Sequence, residues 1–297
     1  MLLVKITAIY KRYHSFTLFY GWLIVACNYF QKYNFFINDY SMQKQATTFT
    51  QLQCVDSTNN YAMGKVHAGM ANHGDACFTM NQLQGKGQRG KQWLSGNAEN
   101  IAISMVIVPA LLSINQQFAL SAAVAVGTHR FFSRYAGDET SIKWPNDIYW
   151  RDRKAAGILI ENLIGQPDGD KNYPEQSVWK YAVAGIGVNI NQVHFDESLL
   201  NAVSLKQLTG RQFDCIALAK ELHQTVMTTV NEVLSGNFIA IHNYYNDHLH
   251  KRNTRVILRK NTIEFETLIQ SVSANGQLLT TDIIDNQFNF GEIEWVI

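Results

Sequence analysis

Residues 143–161, KWPNDIYWRDRKAAGILIE, leave this chain few ways to fold. Pro145 fixes its own φ and pushes Trp144 toward extended backbone, so Lys143 and Trp144 end a strand rather than sit in a helix. Asn146 and Asp147 open a turn, Ile148-Tyr149-Trp150 is a β-prone apolar triplet, and Arg151-Asp152-Arg153 has the polarity of a hairpin tip. Ala156 to Ile160 then resumes as a buried strand, with Gly157 where a missing Cβ lets a ligand or another backbone come close. This pattern predicts that Lys143 and Lys154 face one cavity from neighbouring strands. Taken alone, the residues also fit a strand, a solvated charged turn and a strand with no further role.

A second unusual stretch is Gly85-Lys86-Gly87-Gln88-Arg89-Gly90-Lys91-Gln92-Trp93, which follows a predicted strand over Asp75–Asn81 and contains a formal G-x-G-x-x-G. A dinucleotide fold is excluded on context. The next periodic segment, Ile101 to Pro109, is strand-like and not helical, and Met105 to Val108 stand where the acidic residue of that motif belongs. What remains is a flexible cationic loop suited to wrapping phosphates and closing over a ligand.

KWPND at 143–147, followed by Lys154-x-x-Gly157-Ile158-Leu159-x-Glu161, resembles the hallmark of biotin protein ligases. Other motifs of that family follow in order: Ser57-Thr58-Asn59 after a predicted strand over Phe49–Val55, the glycine loop ending in Trp93, and Gly185-Ile186-Gly187-Val188-Asn189-Ile190-Asn191. Asp56 to Asn60 also fits a plain helix cap, and a cap and a binding site are compatible at a helix N-terminus. The family loop carries arginines where this chain has Lys86 and Gln88. Lys86 keeps the charge and Gln88 does not, and Arg89, one position on, is the candidate to supply the guanidinium.

The resemblance spans roughly residues 50–297 and implies an α+β catalytic domain of the class II synthetase-like type, a mixed or antiparallel sheet with packed helices, followed by a small SH3-like β-barrel. It implies ATP-dependent activation of biotin to biotinyl-5′-AMP and transfer to a lysine of a biotin carboxyl carrier protein, with Mg²⁺ accompanying ATP. By the same resemblance Ser57, Thr58, Asn59, Gln82, Lys86, Gly87, Gln88, Lys154 and Gly157 contact biotin. Lys86, Arg89, Trp93, Lys143, Asn146 and Asn189 contact the nucleotide, and Asp147 is a metal or orienting residue. Lys154, Arg89 and Lys86 are the catalytic cations. A lipoate- or octanoyl-type ligase or transferase, or a non-catalytic biotin sensor, are the competing readings.

Around these motifs, helices are predicted over Gln117–Tyr135, Ser198–Thr209, Asp214–Leu234 and Phe238–Leu249. The strand before Ile190 begins at Tyr181, after a Gly165–Ser177 loop. His129 within the first helix is expected to be a satisfied or surface residue and not a ligand. Short strands over Arg255–Arg259, Thr262–Val272, Gln277–Asp282 and Glu292–Val296, with turns at Lys260-Asn261, Ala274–Gly276 and Asp285-Asn286, make the barrel.

The chain of 297 residues is 46% hydrophobic, enough for one large core and a small second one, and its formal net charge of +1 gives no strong pull toward nucleic acid or membrane. Cys27, Cys54, Cys77 and Cys215 form no C-x-x-C pair, which points to reduced thiols in a cytoplasmic protein and away from a zinc site. Residues 1–41 differ from the rest. Lys5, Lys11 and Arg12 precede an apolar run over Phe16–Cys27 that has the order of a signal segment and is too short for a comfortable membrane span. The preferred expectation is that translation begins at Met42 and that 1–41 is upstream sequence. The expected organisation is then 1–41 extension, 42–249 catalytic domain and 250–297 barrel. No helix-turn-helix pattern precedes residue 50, so DNA is not an expected partner. No membrane contact is expected, and a homodimer is compatible with the resemblance.

Overall fold

In the strand Ile101–Ile107 the residues Ile101, Ile103, Met105 and Ile107 point to one side and Ala102, Ser104 and Val106 to the other. In Val178–Val188 the same alternation places Ala182, Ala184, Ile186 and Val188 opposite Val183, Gly185 and Gly187. One side of the sheet is therefore aliphatic and the other is bare or polar. The computed structural model describes residues 47–94, 99–166, 178–199 and 201–296. The expectations for residues 1–41 and for the loop through Ser177 fall wholly or largely outside these, except that Gly165 ends a strand.

The strands are β1 (Phe49–Leu52), β2 (Ala76–Thr79), β3 (Ile101–Ile107), β4 (Thr140–Lys143), β5 (Asp147–Trp150), β6 (Arg153–Gly165) and β7 (Val178–Val188). They form a mixed sheet of order β1-β2-β3-β7-β6-β5-β4, with β1 parallel to β2 and the remaining pairs antiparallel. Helix α1 (Thr58–His67) packs on the bare side, where Ala62 and Val66 meet Cys77, Val106 and Val183. Helix α2 (Gln117–Ala136) covers the aliphatic side together with α4 (Cys215–Leu234) and α5 (Phe238–Asp247).

Asp214 caps α4 by accepting from the Ile216 and Ala217 amides, and Leu218, Leu222, Val226 and Val230 form its buried stripe. Gly127 marks the closest approach of α2 and α4, since a Cβ there would lie 2.7 Å from the Val226 Cα. His129 is a core residue: its ring lies between the Thr140 carbonyl at 3.0 Å and the Tyr244 hydroxyl at 3.2 Å, and burial pushes its pKa down to about 4.

The C-terminal strands β8 (Arg255–Lys260), β9 (Ile263–Val272), β10 (Leu278–Thr281), β11 (Asp285–Phe288) and β12 (Glu294–Trp295) form an antiparallel sheet of order β11-β10-β9-β8-β12, consistent with an SH3-like barrel. Two local expectations are corrected. The helix over Ser198–Thr209 is a 3₁₀ turn at Glu197–Leu199 and a short α3 (Leu205–Thr209), because Ser204 caps the Gln207 amide and Gly210, in the left-handed region, ends the helix. Asp285 and Asn286 lie in β11 and not in a turn. The reversal comes earlier, where the Asp282 carboxylate accepts from the Ile283 and Ile284 amides.

Candidate functional site

Helix α1 covers only part of the bare side of the sheet, and the rest is the floor of an open cleft of about 910 Å³. Glycines make that floor. Gly157 on β6 is paired with Gly187 on β7, and a Cβ added at Gly187 would lie 2.2 Å from the Trp93 ring. The motif Gly185-Ile186-Gly187-Val188 thus has a simple physical reading: aliphatic residues pack against the helices while glycines on the opposite face let a flat group rest on the backbone. Here that flat group is the indole of Trp93, whose buried Nε1 finds no hydrogen-bond partner among the described residues.

One end of the cleft is polar. Ser57 is the N-cap of α1, and the Thr58 amide donates to Gln82 Oε1 at 2.8 Å, with the Thr58 hydroxyl 3.1 Å from the same oxygen. Ser104, the hydroxyl in an otherwise apolar β3, lies 2.8 Å from Thr58 Oγ1 and 2.5 Å from Asn59 Oδ1. The Asn59 amide nitrogen donates to Glu161 Oε2 at 2.9 Å. Ser57, Thr58, Asn59 and Ser104 are all buried, so each hydroxyl and amide must be partnered by protein or by ligand.

The other end is cationic. Lys154 Nζ lies 2.8 Å from Asp147 Oδ1 and 6.0 Å from the centre of the Trp93 ring. Lys143 is buried with its ammonium 3.2 Å from the Tyr149 hydroxyl and over the rings of Tyr149 and Trp295. Burial pushes the Lys143 pKa down to about 8, against the attraction of Asp147 and with the repulsion of Lys154. The expectation that Lys143 and Lys154 stand on neighbouring strands is corrected: β5 lies between β4 and β6, and both lysines reach the cleft from either side of it. Asn146 donates to the Ile158 carbonyl, and Asn189 Nδ2 lies 3.4 Å from the Lys154 carbonyl, so both hold the floor strands in place from the cleft wall.

The glycine loop closes one side. Gln88–Gly90 is a single 3₁₀ turn with Arg89 in the left-handed region, and the next described element is β3, in accord with the exclusion of a dinucleotide fold. Lys86 pairs with Glu161 at 3.3 Å, and Gln88 Nε2 lies 3.5 Å from the Ile158 carbonyl. Arg89 turns to the C-terminal sheet, with its guanidinium 5.2 Å from the Phe290 ring centre and packed against Gly291. A Cβ at Gly291 would sit 2.0 Å from that guanidinium.

Every residue singled out by sequence lines this one cleft: Ser57, Thr58, Asn59, Gln82, Lys86, Gly87, Gln88, Arg89, Trp93, Lys143, Asn146, Asp147, Lys154, Gly157 and Asn189. Ser104, Tyr149 and the segment from Phe290 to Trp295 were not singled out. Ser104 was visible as the hydroxyl among aliphatic residues of a strand. Nothing local in sequence marks Phe290 to Trp295, which reach the cleft by tertiary docking.

Residues 51–168 match the model of the Biotin/lipoate A/B protein ligase family. The chain is 32% identical over 154 residues to the bifunctional ligase/repressor BirA of Escherichia coli (strain K12), covering 50% of this chain and 43% of that protein. The chain thus spans less than half the length of that relative. It is 27% identical over 232 residues to the biotin--[acetyl-CoA-carboxylase] ligase of Paracoccus denitrificans, covering 75% of this chain and 90% of that one. Its fold is that of a biotin protein ligase from Aquifex aeolicus solved in complex with biotin and ATP, with a TM-score of 0.66 at 19% identity over 83% of this chain and 97% of that chain. Among the described residues no helix is long and apolar enough to cross a membrane. Cys54, Cys77 and Cys215 are free thiols.

Proposed function

We propose that this protein is an ATP-dependent biotin protein ligase that forms biotinyl-5′-AMP and passes the biotinyl group to a lysine of a biotin carboxyl carrier protein. The observation that carries this reading is the pairing, in one cleft, of a buried hydroxyl-amide cluster with a cationic wall. Ser57, Thr58, Asn59 and Gln82 offer donors and acceptors suited to a ureido ring. A fatty acyl chain leaves them unpaired, which is the kind of mismatch a site rejects strongly.

The chemistry begins with a carboxylate attacking the α-phosphate of ATP, forming the acyl-phosphate bond as the α–β phosphoanhydride bond breaks and pyrophosphate leaves. Two unit negative charges about 4 Å apart repel by about 4 kcal/mol at the effective dielectric of a protein surface. Cations and oriented N–H groups must therefore do most of the catalysis, and an acid/base pair is secondary. Lys154, held by Asp147, is assigned to the carboxylate and the α-phosphate. Lys86, Arg89 and the backbone amides of the glycine loop are assigned to the phosphates, and Lys143 with Asn146 and Asn189 to nucleotide positioning. In the second step the carrier amine attacks the acyl carbonyl and AMP leaves, while a closed loop keeps water from the mixed anhydride.

Magnesium would enter with the nucleotide. The carboxylates lining the cleft, Asp147 and Glu294, are each ion-paired, to Lys154 and Arg259, and no group of three or more His, Cys, Asp or Glu able to hold a metal occurs among the described residues. That donor set fits an ion held mainly by phosphates and water, with Asp147 as its protein carboxylate. Its contribution there is charge neutralisation of the phosphates.

Incubation with labelled ATP and either biotin or lipoate, followed by addition of a biotin carboxyl carrier domain, tests the reading. Pyrophosphate release with biotin and labelling of the carrier are expected. Release with lipoate alone would move the assignment to a lipoyl ligase, and tight biotin binding without release would leave a sensor.

Two further results are expected. The value of kcat/KM for ATP falls as pH rises through about 8, because Lys143 loses its positive charge there, and Lys143→Met lowers the pH 7 value and flattens that limb. Unfolding does not explain such a fall. The folded value lies below the ordinary 10.5, so between the two the unfolded chain binds more protons and this group makes the fold more stable as pH rises. In the glycine loop, Gln88→Arg leaves adenylation intact or raises it, whereas Arg89→Ala speeds release of the bound adenylate, measured by its dissociation rate. If only substitutions at Gln88 change that rate, Arg89 does not replace the missing loop arginine.

A further inference from the structure

Glu161 does not line the cleft, yet its carboxylate joins the two parts of the structure that a ligand must bring together. On β6 it lies four residues beyond Gly157, on the same face of the strand, which carries it past the floor to the edge of the polar end. Oε1 receives the Lys86 ammonium of the glycine loop at 3.3 Å, and Oε2 receives the Asn59 amide at 2.9 Å.

We propose that Glu161 is a positioning residue that holds the glycine loop and the hydroxyl-amide cluster in register and sets the hydrogen-bond direction of that cluster. An ionised carboxylate only accepts. Asn59 must therefore turn its NH₂ group to Glu161 and its Oδ1 to Ser104. Oδ1 cannot donate, so the single Ser104 proton goes to Asn59, while the Thr58 hydroxyl donates to Gln82 Oε1. With both hydroxyl protons committed, the Thr58 oxygen presents a lone pair to the cleft, and Gln82 Oε1 accepts from the Thr58 backbone amide as well as from its hydroxyl. The cluster thus offers an acceptor to a ligand N–H, the group a ureido ring supplies. The same carboxylate ties down Lys86, so loop closure and the polarity of the binding end depend on one side chain.

The inference about the ligand rests on the biotin reading above, and its experiment separates the two. Glu161→Gln keeps the size of the side chain but allows its end group to donate as well as accept, so the direction of the cluster is no longer fixed. The KM for biotin is expected to rise about tenfold, the scale of a charge-assisted hydrogen bond to a buried group, with kcat changed by less than about threefold. Asn59→Ala is expected to raise KM similarly, and Glu161→Gln added to Asn59→Ala to raise it little further, because the two act in series.

The loop is read without any ligand. Limited trypsin cleavage after Arg89 and Lys91 is expected to quicken a few-fold in Glu161→Gln and in Lys86→Met, the most that a partly exposed ion pair accounts for, and no further in the double variant. If the parent chain never releases pyrophosphate with biotin but the cleavage pattern holds, the functional reading fails and the latch stands. Additive KM effects at Glu161 and Asn59, or an unchanged cleavage rate in Glu161→Gln, overturn the proposal.

Discussion

Lys154→Ala is expected to slow adenylate formation by about 10²- to 10³-fold, the scale of losing one preorganised donor to a developing anion. Two effects add. The ammonium that neutralises the meeting of carboxylate and α-phosphate is gone, and Asp147, 2.8 Å from it in the intact protein, is left as an uncompensated negative charge on the cleft wall. Asp147→Asn in the Lys154→Ala background should therefore recover part of the loss, whereas Asp147→Asn alone lowers the rate by freeing the lysine to wander. Single-turnover pyrophosphate release measures all three variants. A Lys154→Ala protein that forms adenylate within a few-fold of the normal rate would remove Lys154 from the reaction.

The second large effect is expected at Gly185, which is not a candidate contact residue. A methyl group at this position would lie 2.1 Å from Asn59 Oδ1, so Gly185→Ala drives the Asn59 side chain from its place and breaks its bonds to Ser104 and Glu161. With two buried hydrogen bonds lost at the polar end, the KM for biotin should rise about 10- to 100-fold. Asn59→Ala removes the same amide without crowding the strand and should give a similar KM with a smaller drop in the thermal transition than Gly185→Ala, which separates lost recognition from a damaged sheet. Equal KM values for Gly185→Ala and the parent chain would show that Asn59 has no part in recognition.

These two positions differ in how they could be read from sequence. Lys154 belongs to a motif whose local constraints are short in range: proline sets a dihedral, a charged tip turns the chain, and a strand resumes at Arg153. The same holds for the Asp214 cap of α4, for the bare face implied by Gly185 and Gly187, and for the refusal of a dinucleotide fold at Gly85–Gly90. Where local reading failed, competing local signals decided the outcome. Ser204 and Gly210 confined α3 to five residues, and the Asp282 carboxylate moved the β10–β11 reversal ahead of Asp285.

The amino-acid sequence by itself therefore determined the elements, their apolar faces and the residue types available for chemistry, because φ restriction, strand alternation and capping act over a few residues. Tertiary structure alone decided which of those residues meet. Asn59 reaches Glu161 across 102 positions and Lys86 reaches it across 75, since the order β1-β2-β3-β7-β6-β5-β4 brings β6 beside β7 and under the start of α1. The C-terminal sheet joins the cleft in the same way. The Trp144 indole donates to the Gly276 carbonyl at 2.9 Å, and Trp295 lies against Lys143. No spacing in the chain encodes these contacts, because burial of the sheet faces and not local geometry fixes them.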